Sequence, residues 1–249
     1  MTRYGIKKSA FFASCFLLVS AILIAASAIS AKIFISEAES AGASAKSSAL
    51  PVIIIDAGHG GRDGGASADD GTLEKDLNLA VSKKLQSFFE SAGYTVVMTR
   101  TEDVALGDEN SSHKKLGDLK ARTETAKKYE NAIFISIHMN KFPVAKYSGL
   151  TVYYSKNTEN SKTLAASVKD TVRNYLQKNN EREVKAAGSE IYVLDNAPCT
   201  AILIECGFLS NPEECSLLKT DSYQQKTAAC IYAAAVNYIC KTTNTEEVK

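Results

Sequence analysis

Short apolar segments without charged residues alternate with longer stretches in which apolar residues recur every three or four positions. A continuous apolar run is typical of a strand buried on both faces of a sheet, whereas a half-exposed strand alternates. Strands that alternate with helices favour a parallel sheet. We therefore predict an α/β fold with a single domain, whose largely parallel, doubly covered sheet of about six strands has helices on both faces. The predicted strands are residues 52–55, 95–99, 132–137, 150–154, 191–194 and 201–205.

Three of the remaining stretches predict helices. Apolar residues at helical spacing mark residues 77–88, and Gly93 then supplies a stop signal. A second apolar stripe covers residues 164–176, and the alanine-rich residues 222–240 predict a third helix that packs on the sheet.

The amino terminus indicates export of the chain. Arg3, Lys7 and Lys8 precede an uncharged apolar segment at residues 9–31. This segment is long enough to span a bilayer, and the same pattern is typical of a signal peptide. On this basis we divide the chain into four parts, and we leave open whether the first is a signal peptide or a membrane anchor. Residues 1–31 are a signal peptide or an N-terminal membrane anchor, 32–50 a flexible linker, 51–240 the folded domain and 241–249 a charged tail.

Charge and cysteine content narrow the classes of function. The formal net charge is +1 and no basic stripe is present, so we expect no nucleic-acid partner. Five of the six cysteines lie in the predicted domain, without CxxC pairs. An odd number fits a disulfide framework poorly, and we expect small buried apolar residues rather than bridges or reactive thiols.

Four polar residues lie at strand ends or at the start of a helix. His59 follows the first strand, Glu74 opens the next helix, and His138 and Glu205 end two further strands. In open α/β sheets, ligands bind outside the carboxyl ends of the strands. Two histidines and one carboxylate with an open fourth position are what a catalytic zinc site requires. His113 lies in a polar stretch and is expected to be a solvated loop residue.

Each of these residues also has a purely structural interpretation. A histidine after a strand can be structural, and a glutamate in the first turn of a helix stabilises the helix dipole. Glu205 is harder to explain in this way, because a partly buried carboxylate needs a cationic or hydrogen-bonding partner. Together the four residues favour a metal site.

Four motifs resemble those of the zinc-dependent N-acetylmuramoyl-L-alanine amidases with a type-3 catalytic domain. They are "IIIDAGHGGRDGGA", "EKDLNL", "FISIHMN" and "IECGFLSNPEE", in this order. The resemblance implies zinc (Zn²⁺) bound by His59, Glu74 and His138, with Glu205 as the catalytic carboxylate. It also implies the bond that is cut, the amide between the lactyl group of N-acetylmuramic acid and L-alanine of the peptidoglycan stem peptide.

Further residues have expected roles near the site. Asn140 and Asp63 are candidates for the substrate-binding region. Asn140 would hydrogen-bond substrate amides, and Asp63 would orient His59 as an acceptor or, alternatively, cap a turn.

Arg100 and Met139 carry structural expectations. Arg100 is expected to anchor a loop, through Asp103, rather than to touch substrate. Met139 replaces a residue that is small in the family, so we expect it to reshape the floor of the pocket.

The compact layout without wall-binding repeats is similar to that of the spore-cortex, germination-specific amidases, which remove stem peptides before muramic-δ-lactam forms. It implies an exported, extracytoplasmic enzyme acting on peptidoglycan, in contact with the membrane if residues 1–31 are retained. We expect a protein partner for docking or activation, since no binding module is visible. Two alternatives are a catalytically silent peptidoglycan-binding protein and a zinc hydrolase of another wall bond, such as a peptidase or a deacetylase.

Overall fold

The computed structural model describes residues 50–108 and 111–246. The predicted signal or anchor segment, the linker up to residue 49 and the last three residues of the tail lie outside the described residues. Within the described ranges, no helix has the length and apolar character needed to cross a membrane.

A six-stranded sheet forms the centre of the fold, with the strand order β2-β1-β3-β6-β4-β5. Strands β2, β1, β3 and β6 are parallel to one another, and β4 pairs antiparallel with β6. The predicted, largely parallel sheet is confirmed. The strands are β1 (Val52–Ala57), β2 (Val96–Met98), β3 (Ala132–Asn140), β4 (Thr151–Tyr154), β5 (Lys185–Ala186) and β6 (Thr200–Phe208).

Helices cover both faces of the sheet, as predicted. They are α1 (Glu74–Ser91), α2 (Lys114–Lys127), α3 (Glu159–Tyr175), α4 (Tyr192–Asp195), α5 (Pro212–Leu218) and α6 (Asp221–Glu246). Apolar side chains of α1, α3 and α6 form one core with one face of the sheet, while α2 and α4 contribute to a second core on the other. Because side chains alternate along a strand, Ile53 and Ile55 enter the first core and Ile54 enters the second. This double burial explains the continuous apolar runs.

One predicted strand is wrong. Residues 191–194 lie largely in the short helix α4, and the outermost strand is instead the exposed pair Lys185–Ala186. A run of four apolar residues does not by itself distinguish a strand from a helical turn. Here a helical turn buries Val193 and Leu194 in the second core.

Helix α2 was not predicted, because the side chains that it buries are mostly polar. They are Asp118, Arg122, Thr123 and Ala126. An apolar periodicity cannot reveal a helix whose inner face binds the sheet through charged groups.

The third predicted helix continues to Glu246, so that residues 241–246 of the predicted tail are helical.

The strand register places the candidate site at one edge of the sheet. Ala57, the last residue of β1, pairs with Ile137 of β3. The next residue of β3, His138, pairs with Glu205 of β6. The ends of three neighbouring parallel strands therefore deliver their polar residues to a common edge.

Candidate metal centre

The loop after β1 turns sharply and carries His59. This histidine has φ 60°, the left-handed region, which is uncommon for residues other than glycine but in which histidine is enriched. The left-handed conformation costs about 1 kcal/mol. The surrounding structure must therefore hold the loop in this shape.

His59, Glu74 and His138 converge on one point. His59 Nε2 lies 3.2 Å from Glu74 Oε1, and His138 Nδ1 lies 2.9 Å from the same oxygen. One ligand atom from each of the three residues lies within 4.8 Å of the others. Two imidazole nitrogens and one carboxylate oxygen form a donor set that suits Zn²⁺. The described residues thus include a cluster able to hold a metal ion.

Two glycines allow the loop to pack against these side chains. A Cβ atom on Gly58 would lie 2.3 Å from both Cε1 and Nε2 of His138. A Cβ atom on Gly65 would lie 2.5 Å from Glu74 Oε2 and 2.7 Å from His59 Cδ2. The glycine-rich motif is needed for this close approach of the backbone to all three residues.

Glu74 is buried, and both of its carboxylate oxygens accept hydrogen bonds. Oε1 accepts a hydrogen bond from the backbone N–H of Met139 at 3.1 Å, and Oε2 accepts one from Ala66 at 2.8 Å. Burial raises the pKa of Glu74, but hydrogen bonds to His138 and His59 outweigh it and hold the pKa well below its usual range. Glu74 is therefore ionised at neutral pH, as a carboxylate ligand must be.

Asp63 performs both of the roles that the sequence left open. Its Oδ2 lies 2.9 Å from His59 Nδ1, and its Oδ1 accepts a hydrogen bond from the backbone N–H of Gly65 at 3.2 Å. Lys115 also donates to Oδ2. Burial opposes ionisation, yet Lys115 and His59 together hold the pKa of Asp63 well below its usual range. With Nδ1 of His59 bound to Asp63, the ring directs Nε2 towards Glu74.

Glu205 faces the cluster from β6, and its Oε2 has no hydrogen-bond partner among the residues that the structure describes. This oxygen is buried. Burial raises the pKa of Glu205 to about 7, against the opposing effect of His138. A carboxylate whose pKa lies near neutral pH can both accept and release a proton during catalysis.

A cavity of about 400 Å³ opens in front of these residues. Its walls include His59, His138, Glu205 and Asn140. The lining also includes the polar side chains of Tyr153, Glu190 and Tyr192. Asp63 is absent from this lining, because it lies behind His59.

Arg100 anchors the loop, but the partner expected for it is wrong. Its hydrogen bonds run to backbone carbonyls rather than to Asp103. A guanidinium carries five N–H donors and can hold several carbonyls at once. Asp103 instead accepts hydrogen bonds from Lys75 Nζ at 2.6 Å and from the N–H of Gly61 at 2.8 Å.

Met139 does not form the pocket floor, contrary to expectation. It lies between His138 and Asn140 on a strand, so its side chain points to the opposite face. There it is buried in the first core.

The expectation of small buried cysteines is confirmed for four of the five cysteines of the domain and is wrong for Cys240, which is exposed near the end of α6. Cys199, Cys206, Cys215 and Cys230 are buried free thiols, and burial raises the pKa of Cys199 to about 11. A buried thiol of this kind is a poor nucleophile. His113 is exposed next to the start of α2.

Sequence reasoning missed Arg122, which lies in the wall of the same cavity as His59 and His138. It is buried and donates hydrogen bonds to Asp56, Asp118 and the carbonyl of His59. Asp56 was the available signal, because a carboxylate within the apolar run of β1 requires a buried cationic partner.

The close approach at Gly58 yields a direct prediction. Gly58→Ala should displace the His138 ring and weaken zinc binding at least tenfold, because a Cβ atom there has no room. Gly64→Ala is the matched control, since its Cβ atom would make only ordinary contact with Leu73, at 3.5 Å. Zinc affinity measured by competition with a chromophoric chelator checks both variants. Equal affinities for the two variants would contradict this account of the site.

Comparison with known proteins agrees with this geometry. The sequence profile of the N-acetylmuramoyl-L-alanine amidase family Amidase_3 matches residues 53–237. The germination-specific N-acetylmuramoyl-L-alanine amidase of Bacillus subtilis (strain 168) is 38% identical over 191 residues, which cover 75% of this chain and 79% of that protein. The probable cell wall amidase LytH of Staphylococcus aureus is 34% identical over 176 residues, covering 70% of this chain and 53% of LytH.

A solved structure has the same fold. The CwlD amidase from Clostridioides difficile, determined in complex with the GerS lipoprotein, superimposes with a TM-score of 0.73 at 40% identity. The alignment covers 76% of this chain and 98% of that one. On these grounds the chain belongs to the Amidase_3 family of N-acetylmuramoyl-L-alanine amidases.

Proposed function

We propose that this protein is a zinc hydrolase that cleaves the amide between the lactyl group of N-acetylmuramic acid and L-alanine of the stem peptide. The observation that carries the proposal is the buried, unpartnered Oε2 of Glu205 beside the cluster of His59, Glu74 and His138. A buried carboxylate without a partner is costly unless function requires it.

His59, Glu74 and His138 would hold the metal. Three protein ligands leave a fourth position open, as in catalytic zinc sites, and one carboxylate leaves the site with a net positive charge. A divalent cation bound there polarises a carbonyl and acidifies water. The hydrogen bond that His59 Nδ1 donates to Asp63 would fix which ring nitrogen faces the metal.

Glu205 moves the proton in this proposal. Its carboxylate accepts a proton from the attacking water and then transfers it to the nitrogen of the leaving L-alanine. No covalent enzyme intermediate is required, and the four buried thiols have no role in the reaction. Asn140, in the wall of the cavity, hydrogen-bonds the amides of the substrate.

The names of the relatives support a role in the cell wall or spore cortex, outside the cytoplasm. Of these two locations we propose the spore cortex, where removal of stem peptides precedes formation of muramic-δ-lactam. Export would depend on residues 1–31, as a cleaved signal or a retained anchor.

The alternatives predict different products. A silent peptidoglycan-binding protein would have no use for a buried base, which is why Glu205 favours an enzyme. Mass spectrometry of muropeptides from treated sacculi separates the enzymatic alternatives. Free stem peptide beginning with L-alanine supports the amidase; acetate, or a cut within the peptide, would contradict it.

Substitution of Glu205, the proposed proton acceptor, should reduce catalysis without reducing metal binding. Glu205→Gln keeps the size of the side chain but not its basicity, so hydrolysis should fall by about 10²–10⁴-fold with zinc content unchanged. Glu213→Gln, on an exposed glutamate of α5, is the control and should retain full activity. Loss of zinc in Glu205→Gln would identify Glu205 as a ligand and would refute its proposed role.

We also propose that a protein partner docks to this domain or activates it. The relative solved in complex with a lipoprotein supports this idea. The purified protein alone should then digest spore-cortex sacculi more slowly than it does after addition of extract from sporulating cells. Full activity without the extract would refute the need for a partner.

A further inference from the structure

A buried charged network adjoins the candidate metal ligands in the wall of the same cavity and takes no part in the proposed chemistry. At its centre, Arg122 donates through Nε to Asp118 at 2.7 Å and through Nη1 to Asp56 at 2.7 Å. The same guanidinium donates to the carbonyls of Ala57 at 2.8 Å and His59 at 2.7 Å. Arg122 thus binds the backbone of a proposed ligand as well as two carboxylates.

A second buried arginine holds the same loop. Arg100 donates through Nε to the carbonyl of Ala57 and through Nη2 to that of Gly58, both at 2.9 Å. Its Nη2 also donates to the carbonyl of Lys75 in α1, at 2.8 Å. The three consecutive carbonyls of residues 57–59 therefore all accept hydrogen bonds from buried guanidinium groups.

The network extends to the strand that carries the second histidine. Asp56 Oδ1 accepts the bond from Arg122, and Asp56 Oδ2 accepts one from Ser136 Oγ at 2.7 Å. Asp56 lies three residues before His59, and Ser136 lies two residues before His138. A single carboxylate thus ties together the two strands that deliver the imidazoles.

We propose that Arg122 and Arg100 are positioning residues for metal binding, which hold residues 57–59 so that His59 already faces Glu74 and His138. The inference rests on the proposed function, because it assumes that these three residues bind zinc. His59 has a left-handed backbone conformation, which an unsupported loop would rarely retain. Asp56 and Asp118 neutralise Arg122, so the network adds little repulsion towards a bound cation.

Lysine substitutions test this proposal in the full chain. A lysine keeps the positive charge, but its single ammonium group cannot reach all the partners at once, which are two carboxylates and two carbonyls for Arg122 and four carbonyls for Arg100. Arg122→Lys and Arg100→Lys should each weaken zinc affinity about 10–100-fold, the range found when the groups that orient metal ligands are removed. Arg182→Lys is the matched control, because Arg182 donates to the carbonyl of Ser148, remote from this network. Its zinc affinity should equal that of the wild type.

Two further measurements separate positioning from general stability. If the arginines only stabilise the fold, the melting temperature of the chelator-treated variants will fall while their zinc affinity stays unchanged. If they position His59, the absorption spectrum of the cobalt-loaded Arg122→Lys protein will also change. Wild-type zinc affinity in both lysine variants would overturn the inference.

If Arg122→Lys fails to fold, Ser136→Ala tests whether the network positions the metal ligands. This variant lacks one hydrogen bond to Asp56, so its zinc affinity should fall several-fold. An unchanged zinc affinity would count against a positioning role of the network. Failure of the wild-type protein to bind zinc would overturn the proposed function itself. Zinc binding and hydrolysis by the wild type, with unaltered affinities in the variants, would overturn only the positioning role.

Discussion

The contact of one buried carboxylate with two imidazoles is the constraint on which the site depends. Glu74 lies at the start of α1, His59 in the loop after β1 and His138 on β3, so this contact fixes a helix, a loop and a strand relative to one another. Gly58 and Gly65 supply the space that it needs. Carboxylate and imidazoles would otherwise make a buried ionic cluster that contributes little to stability. Together the three side chains form a group that could hold a metal ion.

The sheet explains why these groups meet. Four parallel strands place the ends of β1, β3 and β6 at one edge, which is where ligands bind in open α/β sheets. Strand β4, antiparallel to β6, adds Tyr153 to the lining of the cavity. A largely apolar scaffold thereby surrounds Glu205 with enough protein to raise its pKa to about 7, while one face of the cavity stays open.

Much of this arrangement could be predicted, since it follows from patterns that are local in sequence. Continuous apolar runs identified β1, β3 and β6, and the polar residues after them indicated the site. The sequence could not reveal α2, whose inner face carries Asp118 and Arg122 rather than an apolar stripe. Nor could it distinguish α4 from a strand, because burial of four apolar residues suits either structure. The partners of Arg100 depend on backbone carbonyls brought together only by folding.

The most direct test of the account is the location of zinc in crystals of the metal-loaded protein, from anomalous scattering recorded at the zinc absorption edge. The account predicts one strong peak within bonding distance of His59 Nε2, Glu74 and His138 Nδ1, with the Glu205 carboxylate facing the remaining coordination position. A peak at any other group of residues, or Glu205 turned away from the metal, would contradict it.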